Sequence, residues 1–419
     1  MKPIRRTLLG SGLAATAAVT LGLPAGRALA QQKAPIKFAT LMDFTRVYTF
    51  LTSEYSQGQQ DYIRLANLEG GVDGHPVNLT IRDHASHPQQ GIAMYNEALR
   101  DGNVFFDFLS TPVANAVMPR ANEDKVPMIA FAHGRADAID GNEFPYVYPS
   151  AAIYRSQAAL LMQYIDQHGG GLKGKKIAFV HIDSPFGKEP IALLEALVKD
   201  KGFTLQAFPY PVPGTEQAAT WTEVRRYRPD AVIIWGAGPG QAVSIRGAIG
   251  NGISPKSIHS VVWLSDTDMK SFSGDTAVGV KRVTLVNPGT DQKLVQRIIE
   301  KIIEPGNGSG DRSTVGSTYY NIGVASMAIA VEGAKLALAK SGGPLTGEKL
   351  KAGLEMLKGF DADGLMPPLT ITAEDHQGGG KGRISEWDGK KWAPLSDWSD
   401  AEQDLVWKLV REEASKGKK

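Results

Sequence analysis

An α/β fold of two similar lobes, each a parallel sheet flanked by helices, is predicted by three observations. Short apolar or alternating runs alternate with helix-periodic runs from Ile36 to about Val286, and that alternation builds units whose strands run parallel. The pattern restarts after FPYVYP, residues 144–149, marking a first crossing of the chain near residue 150. At 419 residues the chain also exceeds what one core comfortably fills, so length favours two or three domains. Two such lobes leave a cleft between facing strand ends.

The first thirty residues stand apart from the fold. Lys2, Arg5 and Arg6 precede a short apolar, small-residue run that ends in Ala28-Leu29-Ala30, the pattern of an export signal cleaved before Gln31. Arg5-Arg6-Thr7-Leu8-Leu9 is similar to a twin-arginine signal with Ile4 in place of the usual Ser, so Sec and Tat routes both stay open. An uncleaved anchor is the competing reading, weakened because the run is shorter than the ~20 residues a span needs. No later segment reads as long and apolar enough to span. Cleavage removes four basic residues and no acidic one, taking the formal net charge from +2 to −2. A near-neutral chain without basic clusters does not suggest nucleic acid or an anionic membrane surface as a partner, and the terminal KGKK reads as a solvated tail. With no Cys, disulfides and thiolate zinc sites are excluded.

Strands are expected at 36–42, 77–83, 104–109 and 127–131, each followed by a helical pattern. Tyr62, Ile63, Leu65 and Ala66 share one helical stripe, as do Ile92, Tyr95 and Leu99, the second helix starting near Ser86 and Pro88. The second set of strands is expected at 177–183, 203–208, 231–235, 261–264 and 283–286. Residues 291–303 and 315–340 then read as helices, the latter with Tyr319, Ile322, Ala325, Ile329 and Gly333 near one face. From Pro367 onward, Leu369, Ile371, Trp387 and Trp392 among many Gly read as short strands and turns. The lobes are accordingly expected at 31–150 with 288–365 and at 151–287 with 366–419.

Within the first set, FFDFLSTPVANAVMP, residues 105–119, breaks from strand to helix at Ser110-Thr111-Pro112. Ser or Thr before a first-turn Pro is an ordinary helix cap. The same hydroxyls beside free helix amides also make an anion site suited to a ligand carboxylate. Enzymatic and cofactor motifs are weak. Residues 169–176, GGGLKGKK, match a phosphate loop except that Lys176 replaces the magnesium-binding hydroxyl and a strand, not a helix, follows. GAGPGQ, 236–241, lacks the dinucleotide glycine spacing. His84 and His87 lie three apart without a third ligand nearby, and Asp266 with Asp268 has no nucleophile to serve.

Several fragments, in order, carry a resemblance. They are IKFA at 36–39, ANLEGGVDGHPVNLTIRDHASHPQQGI at 66–92, Leu109-Ser110-Thr111, VPMIAFAHG at 126–134, HIDSPFGKE at 181–189 and SGDTAVGV at 273–280. The chain resembles the periplasmic solute-binding proteins of ABC transporters, specifically the branched-chain amino acid type, over nearly all of its length beyond the signal. The resemblance implies a type I periplasmic binding fold with ligand in the interlobe cleft. It implies that Ser110 and Thr111 bind a ligand carboxylate, that Ala132 and His133 occupy the next strand end, and that Phe186 covers the ligand. It further implies that Trp235 and Gly236 end a strand of the second lobe, with Asp266 at the position that meets an ammonium group. Core packing or turn chemistry is the alternative at Phe186, Trp235 and Asp266. Gly134 stands where the family often has a hydroxyl residue. The loop Met42-Asp43-Phe44-Thr45-Arg46-Val47-Tyr48-Thr49-Phe50 replaces a Gly-rich turn. There Arg46 could pair with a carboxylate and Phe44 or Tyr48 could flank a flat ring, or Arg46 could pair with Asp43 or another cleft-edge acid.

The expectation is thus an exported, periplasmic, monomeric binding protein without cofactor or metal. It would close on an amino acid or an aromatic or other organic acid and deliver it to a permease and ATPase complex. A sensor of the same fold and an exported α/β enzyme are the rivals, separated by a neighbouring permease gene and by turnover of a ligand.

Overall fold

The computed structural model describes residues 33–417. The expected export signal, with its Arg-Arg run and cleavage position, lies outside the described residues, as do the last two lysines.

Five parallel strands make the first sheet: β1 (Ile36–Met42), β2 (Val77–Asp83), β3 (Phe105–Phe108), β4 (Met128–Ile129) and β5 (Val147–Tyr148), in the order β2-β1-β3-β4-β5. Between them run α1 (Thr49–Leu68), α2 (Pro88–Arg100) and α3 (Thr111–Asp124). β3, FFDF, is wholly buried, as a central parallel strand should be. Its Asp107 is held inside by Tyr55, Gln59 and Ser326, and burial pushes its carboxyl up to about 7.

The second sheet comprises β6 (Lys176–Ile182), β7 (Thr204–Tyr210), β8 (Ala231–Trp235), β9 (Ile258–Ser260), β10 (Lys281–Thr284), β11 (Arg383–Trp387) and β12 (Trp392–Pro394). Its order is β12-β11-β10-β9-β8-β6-β7, parallel from β7 to β10 and antiparallel for the last two. Its helices are α4 (Tyr154–His168), α5 (Pro185–Lys188), α6 (Ile191–Lys201), α7 (Ala218–Tyr227), α8 (Pro239–Gly250) and α9 (Asp266–Lys270). The chain continues through α10 (Lys293–Ile298), a π-helical turn at Ile299–Ile303, α11 (Thr318–Ser341), α12 (Gly347–Leu354) and α13 (Gln403–Gly417).

α11 corrects the reading that no later segment could span a membrane: by length and composition it could. It is mostly buried, packed between α1 and α12. The crossing with α1 is close because both helices present glycine. A Cβ on Gly58 would lie 2.1 Å from the Tyr320 carbonyl oxygen and one on Gly323 2.0 Å from that of Tyr55.

The strand expected at 261–264 is displaced. β9 ends at Ser260, and Val261 to Leu264 form a turn closed by Leu264 N donating to Val261 O. Their apolar character comes from burial at the strand end. Leu369 makes only an isolated bridge to Phe360, whereas Trp387 and Trp392 do face each other across the β11-β12 hairpin at 5.5 Å. α13 was not expected, and it takes Lys416 and Gly417 of the supposed tail into a helix.

Both sheets change their direction of winding at one place, between β1 and β3 in the first and between β6 and β8 in the second. Carboxyl ends of strands at such switch points form crevices, since the two following connections run to opposite sides. Here the two crevices face each other.

Candidate functional site

The loop after β1 is organised by Asp43. Its Oδ1 accepts from the amides of Thr45 and Arg46 at 3.2 and 2.8 Å, and its Oδ2 from Val47 and Tyr48 at 2.6 and 3.0 Å. Burial pushes this carboxyl up, but the Ser86 hydroxyl and the amides outweigh it and hold it below the usual range. Asp43 is therefore committed to backbone, and the Arg46 guanidinium contacts His87 Nε2, not Asp43. The loop delivers Tyr48 to the start of α1, where burial pushes its phenol up to about 12.

β3 ends at Leu109-Ser110, and Ser110 holds the N-cap position of α3. The expected ordinary cap is absent: Ser110 makes no side-chain cap bond, and its Oγ, on a residue 3% exposed, has no hydrogen-bond partner. Pro112 has no amide to offer, and the first turn closes with Ala114 N donating to Ser110 O. The amides of Thr111 and Val113 are first-turn donors of the kind that an external acceptor satisfies.

His133 follows β4. Ala132 takes the left-handed region at φ 60°, its amide donating to Pro149 O, and this bend presents His133. Nε2 lies 2.8 Å from the Phe108 carbonyl, which fixes it as the donor and leaves Nδ1 as an acceptor, buried and unpartnered. Burial pushes the ring down to about 4. Gly134 has φ 98°, and a Cβ there would meet Met118 Cε at 2.7 Å, so a hydroxyl residue at this position would be strained.

Tyr48, Leu51, Ser110, Thr111 and His133 line one wall of a small inner cavity. Tyr154, Phe186, Ala237 and Trp263, from the β6–β10 half, line the other. Tyr154 Oη accepts from Trp263 Nε1 at 3.0 Å, and its ring lies 4.9 Å from that of Phe186. Phe186 is set by α5, which Ser184 caps by accepting from Gly187 N, a glycine whose Cβ would lie 1.8 Å from Ile182 O. An outer groove shares Tyr48, Ser110, Phe186 and Ala237 with the cavity and carries Arg46 at its mouth. No charged side chain lines the inner cavity among the described residues.

Of the residues singled out in the sequence, the cavity and its groove bring together Arg46, Tyr48, Ser110, Thr111, His133 and Phe186. Phe44 instead packs against the core, its amide donating to Asp83. Ala132 acts behind His133. Trp235 is fully buried behind Tyr154, 5.8 Å edge to face, and Gly236 sits against Tyr210, whose hydroxyl a Cβ would meet at 2.0 Å. Asp266 is the main departure: its Oδ1 accepts from the amide and hydroxyl of Thr318 at the start of α11, and it does not line the cavity. Its partner is a helix N-terminus, to which an acid is equally complementary. Tyr154 and Trp263 were missed because aromatic residues in apolar runs read as core.

The site thus sits where two switch points meet around a buried, unpartnered Ser hydroxyl. The profile of the family described as periplasmic binding protein matches residues 35–391. The chain belongs to this family. A crystal structure described as an ABC transporter permease from the Pseudomonas fluorescens group is 32% identical, with a TM-score of 0.83, covering 91% of this chain and 96% of that one. A branched-chain amino acid ABC transporter protein from Thermus thermophilus, with bound valine, has a TM-score of 0.78 at 20% identity, covering 90% and 99%. That second likeness speaks for the fold alone. The Leu/Ile/Val-binding protein homolog 3 of Brucella melitensis is 24% identical over 43% of this chain, and the match spans about half of that relative, 48%.

Proposed function

We propose that this chain is the exported substrate-binding component of an ABC importer, which captures a small carboxylate-bearing solute in the interlobe cleft and delivers it to a permease and ATPase complex. In this reading the lobes comprise 31–150 with 288–365 and 151–287 with 366–419, the protein works as a monomer in the periplasm, and no reaction is performed. One observation carries it: Ser110 holds the N-cap position of a fourteen-residue helix, yet its buried hydroxyl makes no cap and faces a cavity. A carboxylate there would accept from Ser110, Thr111 and the first-turn amides, in the field of the helix dipole. Phe186 and Trp263 would cover it from the other lobe. Ligand bridging both walls stabilises the closed form by its differential affinity. Micromolar affinity corresponds to about −8 kcal/mol, within reach of one paired carboxylate and one buried apolar group. Titration calorimetry of the purified protein against small carboxylates, amino acids included, tests this. One-to-one binding that is lost in the Ser110→Ala/Thr111→Ala double variant supports it, and binding unaffected by that change refutes the carboxylate assignment.

A further inference from the structure

Resting on the reading above, we propose that the solute carries its carboxylate without an ammonium group: an apolar monocarboxylic acid, aliphatic or aryl-substituted, and not a zwitterionic amino acid. The carboxylate end is provided for, as Ser110 and α3 show. An ammonium would need a counter-charge, because burying an unpaired cation is costly. The carboxylates around the cleft are already committed. Asp43 takes four backbone amides, Asp266 takes Thr318, Asp268 closes a capping box with Ser265, and Glu189, ion-paired with Arg155, lines neither the cavity nor the groove. What faces the cavity is aromatic, aliphatic or neutral: the phenols of Tyr48 and Tyr154, His133, Leu51, Phe186 and Trp263.

Among the described residues, Arg46 is the only formal charge lining the adjoining groove, where it attracts anions and repels a cationic group. Aromatic walls alone do not make a cage for a quaternary ammonium either. Such a cage holds rings apart around a cation, whereas Tyr154 and Phe186 pack on one another at 4.9 Å.

Matched pairs that differ only in the amino group isolate this claim. Titration calorimetry of the mature protein compares leucine with 4-methylpentanoate and phenylalanine with 3-phenylpropanoate, with glycine betaine as a further arm. The expected result is binding of at least one deaminated acid, at least a hundredfold tighter than its amino acid partner, with the Ser110→Ala variant binding it roughly 10-fold to 100-fold more weakly. Binding of an amino acid as tight as its deaminated partner, or binding of betaine, overturns this inference and leaves the solute-binding reading standing. Binding of no member of any pair overturns the inference, and the solute-binding reading is then judged separately by the wider carboxylate titration.

Discussion

Replacing Ser110 by Ala separates a helix cap from a ligand contact, because the two roles predict opposite patterns. A capping Ser contributes about 1 kcal/mol to stability, and its loss would appear in the unligated protein. Here the Ser110 hydroxyl makes no cap bond and no other hydrogen bond, so the variant loses no intramolecular bond and should unfold in urea with a free energy not more than about 0.5 kcal/mol below that of the parent. Bound solute changes the balance: a hydrogen bond to a charged group contributes about 1.5–3 kcal/mol, which converts to roughly 10-fold to 100-fold weaker binding. Urea denaturation of the unligated proteins and calorimetric titration with the tightest-binding acid give the two numbers. A variant destabilised by about 1 kcal/mol or more that binds as well as the parent would refute the reasoning and restore Ser110 as a plain cap.

Asp266→Ala should leave the Thr318 amide uncapped and remove an acid that steadies the fully buried Arg282. A loss of about 1–3 kcal/mol in urea unfolding is expected, with the preference among ligands unchanged. Below pH 6.5 the unfolded chain protonates a histidine that folded His133, pushed down by burial to about 4, leaves neutral. This group therefore contributes stability above pH 6.5 that is lost as pH falls toward 4, by about 3 kcal/mol at most. His84 and His259 act in the same direction, whereas Asp107 and Glu189, both pushed up to about 7 by burial, act in the other. The difference in stability between the parent and His133→Gln, measured at pH 7 and pH 4.5, isolates the His133 contribution. Gly323→Ala drives a Cβ into the Tyr55 carbonyl at the α1-α11 crossing and should cost about 1–3 kcal/mol or more by thermal unfolding.

The sequence announces those parts of the fold in which local pattern and burial agree. β1, β2 and β8 lie where their apolar or alternating runs begin and end. β9 does not, because Val261 to Leu264 are buried at the strand end beside Gln157 of α4 and Tyr319 of α11, and burial alone mimics a strand. α13 carries its own signal in Leu405, Val406, Leu409 and Val410 at helical spacing, which the preceding Gly-rich, Trp-bearing stretch obscures. In the cleft, Ser110 and Thr111 are readable because a hydroxyl pair between strand and helix has few uses. Asp266 is not, since a sequence does not distinguish an acid that meets a ligand cation from one that caps a helix fifty residues later. Tyr154 and Trp263 enter the cavity only through the meeting of α4 with the end of β9, a relation no local pattern records.

A crystal structure of the protein with its tightest-binding carboxylate tests the central claim most directly. The account predicts the solute between the walls formed by Ser110 and Phe186, with a carboxylate oxygen within hydrogen-bond distance, about 2.5–3.0 Å, of Ser110 Oγ. A solute lying outside this cleft, or one whose carboxylate turns away from the start of α3, would contradict it.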